Sequence, residues 1–119
     1  MENHKLVLPE HLNHFGFLFG GNLLAWVDEV AWIAASLDYP GAQLVTVGMD
    51  EVAFRKGVRE GTILKFDVQK TRQGNTSVTY EVLVTRARAV DTRDREPVFS
   101  THVTFVSVDE AGNKVALEA

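Results

Sequence analysis

The sequence contains no cysteine in its 119 residues. Disulfides, thiolate nucleophiles and cysteine-ligated metal centres are therefore excluded. The absence is compatible with a reducing compartment without proving one. Histidine cannot replace cysteine as a metal ligand here, because His4, His11 and His102 lack the spacing of metal ligands. We therefore expect no metal site.

Long apolar runs are also missing, because charged residues interrupt each run well before membrane-spanning length. The first residues lack the basic segment and apolar core of a secretory signal, so the cytoplasm is the expected location and no membrane partner is expected. Positive charge is in deficit, with a net charge of −4 and a pI near 5.5. This argues against nucleic acid as a partner but leaves room for a local basic patch that binds a small phosphorylated ligand.

Hydrophobic residues make up 45% of the chain, which suits one globular core. We expect a single domain over residues 1–119. After a short extended segment at 5–8 and a loop, helical periodicity predicts a helix over 22–37 that ends near Pro40-Gly41.

Valine-rich and alternating segments predict four longer strands, at 43–54, 62–71, 77–89 and 98–108. A turn at 109–113 precedes a short tail, 114–117, that we expect to pair back. A long helix followed by consecutive strands predicts an α+β fold with an antiparallel sheet whose one face covers the helix.

The predicted helix carries two apolar rows. One row contains Leu23, Val27, Val30, Ala34 and Leu37. The other contains Leu24, Ala31 and Ala35, and Trp32 lies partly on it. A single curled sheet would leave some of this surface exposed. We infer that a second copy of the chain covers the remainder.

Two glycines, Gly20 and Gly21, precede the helix, and Asp28 follows about two turns later. Glycine lets a ligand approach the backbone closely, and the first N–H groups of a helix suit an anion or a polarised carbonyl. Asp28 falls on an apolar row, where a carboxylate is costly unless it is paired or used. The alternative, a solvated carboxylate on a surface helix, is equally compatible with periodicity alone.

The pattern Asn-x-x-Gly-x-x-Phe-Gly-Gly, followed by an aspartate, resembles the hotdog-fold acyl-CoA thioesterases of the YciA and brain acyl-CoA hydrolase type. Here its residues are Asn13, Gly16, Phe19, Gly20, Gly21 and Asp28. The likeness continues through Leu44-Val45-Thr46-Val47, Phe54-Arg55-Lys56-Gly57-Val58, Gly74-Asn75-Thr76-Ser77-Val78 and Phe105-Val106-Ser107-Val108-Asp109. It covers nearly the whole chain and implies one long helix wrapped by a curved antiparallel sheet.

The resemblance implies hydrolysis of acyl-CoA to a carboxylic acid and free coenzyme A without a metal or prosthetic group. It makes Asp28 the general base or the nucleophile, Gly20 and Gly21 the oxyanion donors, and Asn13 a residue that reaches the site of the partner subunit. A homodimer is implied, with further assembly into tetramers or hexamers.

Candidate partners for the phosphates of coenzyme A are Lys56, Arg72 and the loop of Gly74, Asn75, Thr76 and Ser77, which we expect Lys56 to approach. Asn75 stands where relatives often carry an arginine, and Gly57 stands where a proline is common. Further candidates with weaker support are His14, Thr46, Arg86 and Arg88. Of these, Thr46 is better explained as an ordinary strand residue.

Two other functions stay open at this point. One is a non-catalytic module that binds or senses acyl-CoA, since a fold does not fix a function. The other is a hotdog dehydratase or hydratase acting on acyl thioesters, which would need a histidine beside the carboxylate. Only His14 is placed to serve.

Overall fold

The computed structural model describes residues 1–88 and 95–118, in which one long helix packs against a five-stranded sheet. The helix is α1 (Gly20–Asp38), and the strands are β1 (Glu2–Leu6), β2 (Leu44–Phe54), β3 (Ile63–Gln73), β4 (Ser77–Arg86) and β5 (Phe99–Ser107). The spatial order is β1-β3-β4-β5-β2, and all neighbouring strands are antiparallel. The predicted α+β fold with an antiparallel sheet is confirmed.

Helix α1 begins two residues earlier than predicted. The carbonyl of Phe19 accepts the N–H groups of Asn22 at 3.0 Å and Leu23 at 3.2 Å. The first turn of the helix therefore includes Gly20 and Gly21, which precede the apolar row that starts at Leu23. The helix ends where Tyr39 donates its N–H to the carbonyl of Ala35, immediately before Pro40. No helix in the described ranges is both long enough and apolar enough to cross a bilayer.

The three strands predicted at 43–54, 62–71 and 98–108 are confirmed to within two residues at each end. The strand predicted at 77–89 ends at Arg86, and residue 89 lies outside the described ranges. The tail pairs back as expected, because Val108 bridges Lys114 and Leu117 donates to the carbonyl of Asn75 at 2.9 Å.

The bounds predicted for the first strand are wrong. β1 spans Glu2–Leu6 because it pairs with β3 from Glu2 opposite Asp67 to Leu6 opposite Ile63. The next segment, Pro9–His11, is a short 3₁₀ turn and not an irregular loop. The first residues of β1 are polar, so they do not show the alternation of apolar and polar residues that predicts a strand. Polar residues are tolerated there because β1 forms an edge of the sheet.

The core lies between α1 and one face of the sheet. Buried helix residues are Leu23, Val27, Val30, Ala31, Ala34 and Ala35, and they face alternate residues of β3, β4 and β5. Both predicted apolar rows contribute to this core. Leu37 does not, since 70% of it is exposed near the end of the helix.

A polar network fixes the C-terminal end of α1 on the sheet. Tyr80 donates its hydroxyl proton to Asp38 Oδ2 at 2.6 Å, and Tyr39 donates to Gln73 Oε1 at 2.6 Å. Burial, and then the hydrogen bond to Asp38, raise the pKa of the Tyr80 phenol. Lys70 donates to the Tyr39 hydroxyl at 3.0 Å, which raises the pKa of the lysine. These bonds attach the C-terminal end of α1 to strands β3 and β4.

Candidate active site

Asp28 lies in the middle of α1 and faces strand β2. Thr46 of β2 donates its hydroxyl proton to Asp28 Oδ1 at 2.7 Å, and no other hydrogen bond to this carboxylate occurs among residues 1–88 and 95–118. The side chain is half-buried, so its second oxygen can still accept a proton from water. Within residues 1–88 and 95–118, Asp28 is thus oriented by a neutral donor and forms no ion pair. A general base needs this arrangement.

Thr46 makes a contact with Asp28 that the sequence did not predict. It is a strand residue, as expected, but a register shift follows it in β2, so that Thr46 pairs with Phe105 and the next paired residue is Gly48. Phe105 is fully buried, so Thr46 lies on the sheet face that covers the helix. The sequence could not reveal this contact because the shift changes which residues of β2 face inward.

The start of α1 is an uncapped helix end. Phe19 is the N-cap and offers no side-chain hydrogen bond, so the first N–H groups, those of Gly20 and Gly21, have no intrahelical acceptor. A Cβ at Gly21 would lie 2.9 Å from Phe19 Cε2, and one at Gly20 would lie 3.3 Å from Phe54 Cε1. Glycine therefore allows two half-exposed aromatic rings to pack closely beside these donors.

Asn13 closes a tight loop before the helix. Its Oδ1 accepts the N–H of Phe15 at 2.9 Å and the N–H of Phe17 at 3.1 Å. This leaves the Nδ2 protons as the part of the side chain that can meet another molecule. Within one chain, the described hydrogen bonds connect Asn13 to its own loop and not to Asp28.

The predicted nucleotide residues separate into two groups. Lys56 lies just beyond the end of β2 at Phe54, where β2 pairs with Phe99, and it forms an ion pair with Glu96 at 2.8 Å. Residues 74–77 form the turn between β3 and β4 at the opposite end of the sheet, with Arg72 close before them. At about 3.3 Å per strand residue, roughly 30 Å separates these positions. The expectation that Lys56 approaches this loop is therefore wrong within one chain, because sequence order does not show which ends of the strands meet.

The turn at 74–77 is tied down by the C-terminal part of the chain. Ser107 donates its N–H to the carbonyl of Thr76 at 2.8 Å, and Leu117 donates to that of Asn75. A Cβ at Gly74 would lie 2.9 Å from Ser77 Oγ, so the turn has no room for a larger residue there. The backbone of this loop is rigid, which suits a ligand-binding turn as well as a purely structural one.

The other candidates lie at the end of the sheet where α1 begins. Arg86 donates to the carbonyl of Gly57 at 3.2 Å, and Arg88 is exposed. Sequence reasoning singled out neither Arg55 nor Arg59 individually, although both lie in or beside the quoted Phe54 to Val58 segment. Arg59 stacks on Phe17, with 4.5 Å between its guanidinium carbon and the ring centroid.

Three of the histidines have described side-chain contacts, and none of these contacts is with Asp28. His14 packs its ring against Phe15 at a centroid distance of 4.0 Å, and His11 packs edge-on against Trp26. His102 lies on the outer face of the sheet with Glu51 and Glu81, far from the covered helix. Among the residues that the structure describes, no cluster of three side chains could hold a metal ion.

Comparison with known proteins gives consistent matches. The family model of the thioesterase superfamily matches residues 15–91. The chain is 31% identical over 111 residues to the human cytosolic acyl coenzyme A thioester hydrolase, a match that covers 92% of this chain and 29% of the relative. The chain thus spans less than a third of that relative's length.

Solved structures are similar over almost the whole chain. A hexameric hotdog fold thioesterase of Campylobacter jejuni is 34% identical with a TM-score of 0.83, covering 98% of this chain and 88% of its own. An acyl-CoA hydrolase from Staphylococcus aureus, solved with butyryl coenzyme A and coenzyme A, is 29% identical with a TM-score of 0.85. The match covers 100% of this chain and 71% of the hydrolase chain.

The Staphylococcus aureus protein has also been solved as three alanine variants. The residues replaced are an asparagine, an aspartate fifteen residues later and a threonine seventeen residues after the aspartate. In this chain Asn13 and Asp28 are also fifteen residues apart. Thr46 follows Asp28 by eighteen residues, one more than in the Staphylococcus aureus protein.

Proposed function

The chain is a hotdog-fold member of the thioesterase superfamily, and we propose that it is an acyl-CoA thioesterase that converts acyl-CoA and water into a carboxylic acid and free coenzyme A. The observation that carries this proposal is the Thr46–Asp28 hydrogen bond, which orients a carboxylate in the middle of a helix whose glycine-containing start is uncapped. The names of the relatives support the same activity.

In the proposed mechanism Asp28 acts as general base. Thr46 holds Oδ1, while the other oxygen takes a proton from a water molecule that attacks the thioester carbonyl. The negative charge that develops on the carbonyl oxygen is stabilised by N–H groups of Gly20 and Gly21 at the positive end of α1. Collapse of the tetrahedral intermediate breaks the C–S bond, and the proton passes to the leaving thiolate.

A nucleophilic role for Asp28, through an anhydride, is the other possible mechanism. A single turnover in ¹⁸O-labelled water detects an anhydride that is opened at the Asp28 carbonyl. General-base catalysis places the label in the released acid. Attack of water on the Asp28 carbonyl of an anhydride places it in the protein.

One chain cannot supply the whole site. Seven residues separate Gly21 from Asp28, which is about 10 Å along the helix axis, whereas reacting groups must lie about 3 Å from the carbonyl. A second copy that runs antiparallel brings its helix start and its Asn13 toward Asp28. We therefore propose a homodimer in which Asn13 of one chain orients water or the carbonyl at Asp28 of the other.

The second copy has an obvious place to bind. Strand β2 is an edge strand, and exposed apolar side chains run along it: Val45, Val47, Val52 and Phe54. Such an edge invites pairing with another strand. The hexameric Campylobacter jejuni relative supports further assembly of dimers, into a tetramer or hexamer.

We further propose that hydrolysis needs no metal ion or prosthetic group, because a carboxylate and a helix start supply both the base and the oxyanion donors. Activity should then survive prolonged treatment with a chelator. The name of the human relative supports a cytoplasmic location.

A panel of acyl-CoA substrates with detection of the free thiol tests the proposal. Wild type should release coenzyme A from at least one member, and Asp28→Asn should lower turnover by about 10²-fold or more. Glu29→Gln is the matched control, since it removes the neighbouring exposed carboxylate of the same helix. Binding without thiol release would favour a sensing module, and addition of water to an enoyl-CoA would favour a hydratase.

A further inference from the structure

The ring of Phe17 is held by residues 57–59 of the loop between β2 and β3. The guanidinium carbon of Arg59 lies 4.5 Å from the ring centroid. A Cβ at Gly57 would lie 2.8 Å from Phe17 Cδ1, so only glycine lets this backbone contact the ring. Between them, Val58 accepts the N–H of Leu18 at 2.6 Å. We call these contacts the Phe17 clasp.

The loop that forms the clasp is itself fixed to the body of the protein. Val58 is buried in the core, and Arg86 of β4 donates to the carbonyl of Gly57 at 3.2 Å. Thr62 donates its N–H to the carbonyl of Arg59 at 3.3 Å. The clasp therefore connects the ring of Phe17 to the sheet and not merely to another mobile loop.

The backbone of Phe17 closes the loop that carries Asn13. Asn13 donates its N–H to the carbonyl of Phe17 at 2.7 Å, and Phe17 donates its N–H to Asn13 Oδ1 at 3.1 Å. Because Oδ1 is held in this way, the direction of Nδ2 follows the position of Phe17. A displacement of the ring reaches the carboxamide through the bond from the Phe17 N–H to Oδ1, an oxygen that the Phe15 N–H also holds at 2.9 Å.

We propose that Gly57 and Arg59 are positioning residues, which act through Phe17 to aim the Asn13 carboxamide at the active site of the partner subunit. This inference rests on the role of Asn13 in the proposed function. A displacement of about 1 Å in such a group is enough to lower turnover substantially. The proposal gives Arg59 a role that is separate from any contact with phosphate.

The test is a double-mutant cycle on turnover. Arg59→Ala and Gly57→Ala should each lower kcat about 3- to 10-fold, while KM for acyl-CoA stays within about twofold. Arg59→Lys, which keeps a cation over the ring, should restore most of the loss. Glu60→Ala is the matched control, because it removes an exposed charge from the same loop and should leave kcat unchanged.

In the Asn13→Ala background, Arg59→Ala and Gly57→Ala should cause no further loss of kcat, because the group that they position is gone. Additive losses in that background would overturn the inference, as would a raised KM with an unchanged kcat. If Arg59→Ala does not fold, Arg59→Gln keeps the aliphatic stem and replaces it in the cycle. Wild type that releases no thiol would instead overturn the proposed function, before any variant is compared.

Discussion

The hydroxyl of Thr46 and the carboxylate of Asp28, 2.7 Å apart, connect the middle of the helix to the edge strand of the sheet. Since β2 is also the strand that we expect to pair with a second copy, the direction of the carboxylate depends on a strand at the subunit interface. The Tyr80–Asp38 hydrogen bond holds the same helix at its C-terminal end. The direct contact with Asp28 is thus made by Thr46, and the bond at Asp38 stabilises the helix end.

Thr46→Val should keep the volume and the strand but remove the donor. We expect kcat to fall by about tenfold, the effect of losing one hydrogen bond of about 1.4 kcal/mol to a charged group. Thr46→Ser keeps the hydroxyl and should lose much less. The measurement is steady-state thiol release with the acyl-CoA that wild type prefers. Equal activity of the two variants would show that the hydrogen bond has no part in catalysis.

Mixing two variants with impaired turnover tests whether the active site is shared between subunits. Asn13→Ala and Asp28→Asn chains, combined and allowed to exchange subunits, should regain activity, because each mixed dimer contains one site with both residues intact. Mixing each variant with itself is the control. If verified exchange restores nothing, the two residues do not act across a subunit boundary.

Val47→Lys tests the edge strand. This valine is 58% exposed on β2, and a lysine there should weaken pairing with a second copy and shift the protein toward monomer in analytical ultracentrifugation, with activity falling in parallel. Leu6→Lys, on the opposite edge strand β1, is the matched control because that leucine is 51% exposed. Dissociation by Leu6→Lys alone would place the interface at β1.

Tyr80→Phe should lower the free energy of unfolding by about 1–3 kcal/mol without abolishing turnover, because it removes a hydrogen bond to a carboxylate remote from Asp28. Burial and the bond to Asp38 raise the pKa of the phenol above its ordinary 10.0. The unfolded chain therefore ionises first, and wild type should lose stability as the pH rises above that value. Urea unfolding at about pH 8 and about pH 11 should show the variant losing less stability than wild type over this interval.

Local patterns in the sequence were enough to predict most of the fold. The helix follows from apolar spacing, and the long strands follow from alternation that the sheet then buries. Leu37 fits the helical row but lies at the last turn, beyond the sheet face that covers its neighbours. The bounds of the first strand were predicted wrongly because the polar residues of β1 pair at an edge, where backbone hydrogen bonds matter more than side-chain burial.

The site was predictable only where its parts are close in sequence. Gly20, Gly21 and Asp28 lie within one helix, so their spacing carries the prediction. The contacts of Thr46 with Asp28 and of Arg59 with Phe17 depend on a register shift and a loop path, neither of which leaves a local pattern. The pairing of Lys56 with the turn at 74–77 was wrong within one chain for the same reason.

An antiparallel dimer would bring Lys56 of one chain toward the turn at 74–77 of the other. The turn at 74–77 lies at the Leu44 end of the sheet, and Lys56 lies at the Phe54 end. If β2 pairs with its copy in antiparallel fashion, the turn and Arg72 of one chain lie at the same end as Lys56 of the other. Both cations then approach one coenzyme A across the interface.

Charge reversal at Lys56 or at Arg72 should therefore raise KM for acyl-CoA by roughly 5- to 10-fold, since each loses a charge-assisted contact to phosphate. Hydrolysis of a short thioester of N-acetylcysteamine, which lacks the nucleotide, should be nearly unchanged. Lys5→Glu, a reversal on the distant strand β1, is the control for net charge. Equal losses on both substrates would indicate damage to the reacting centre. An unchanged KM in both variants would move the nucleotide to another basic surface, with Arg86 and Arg88 the next residues to reverse.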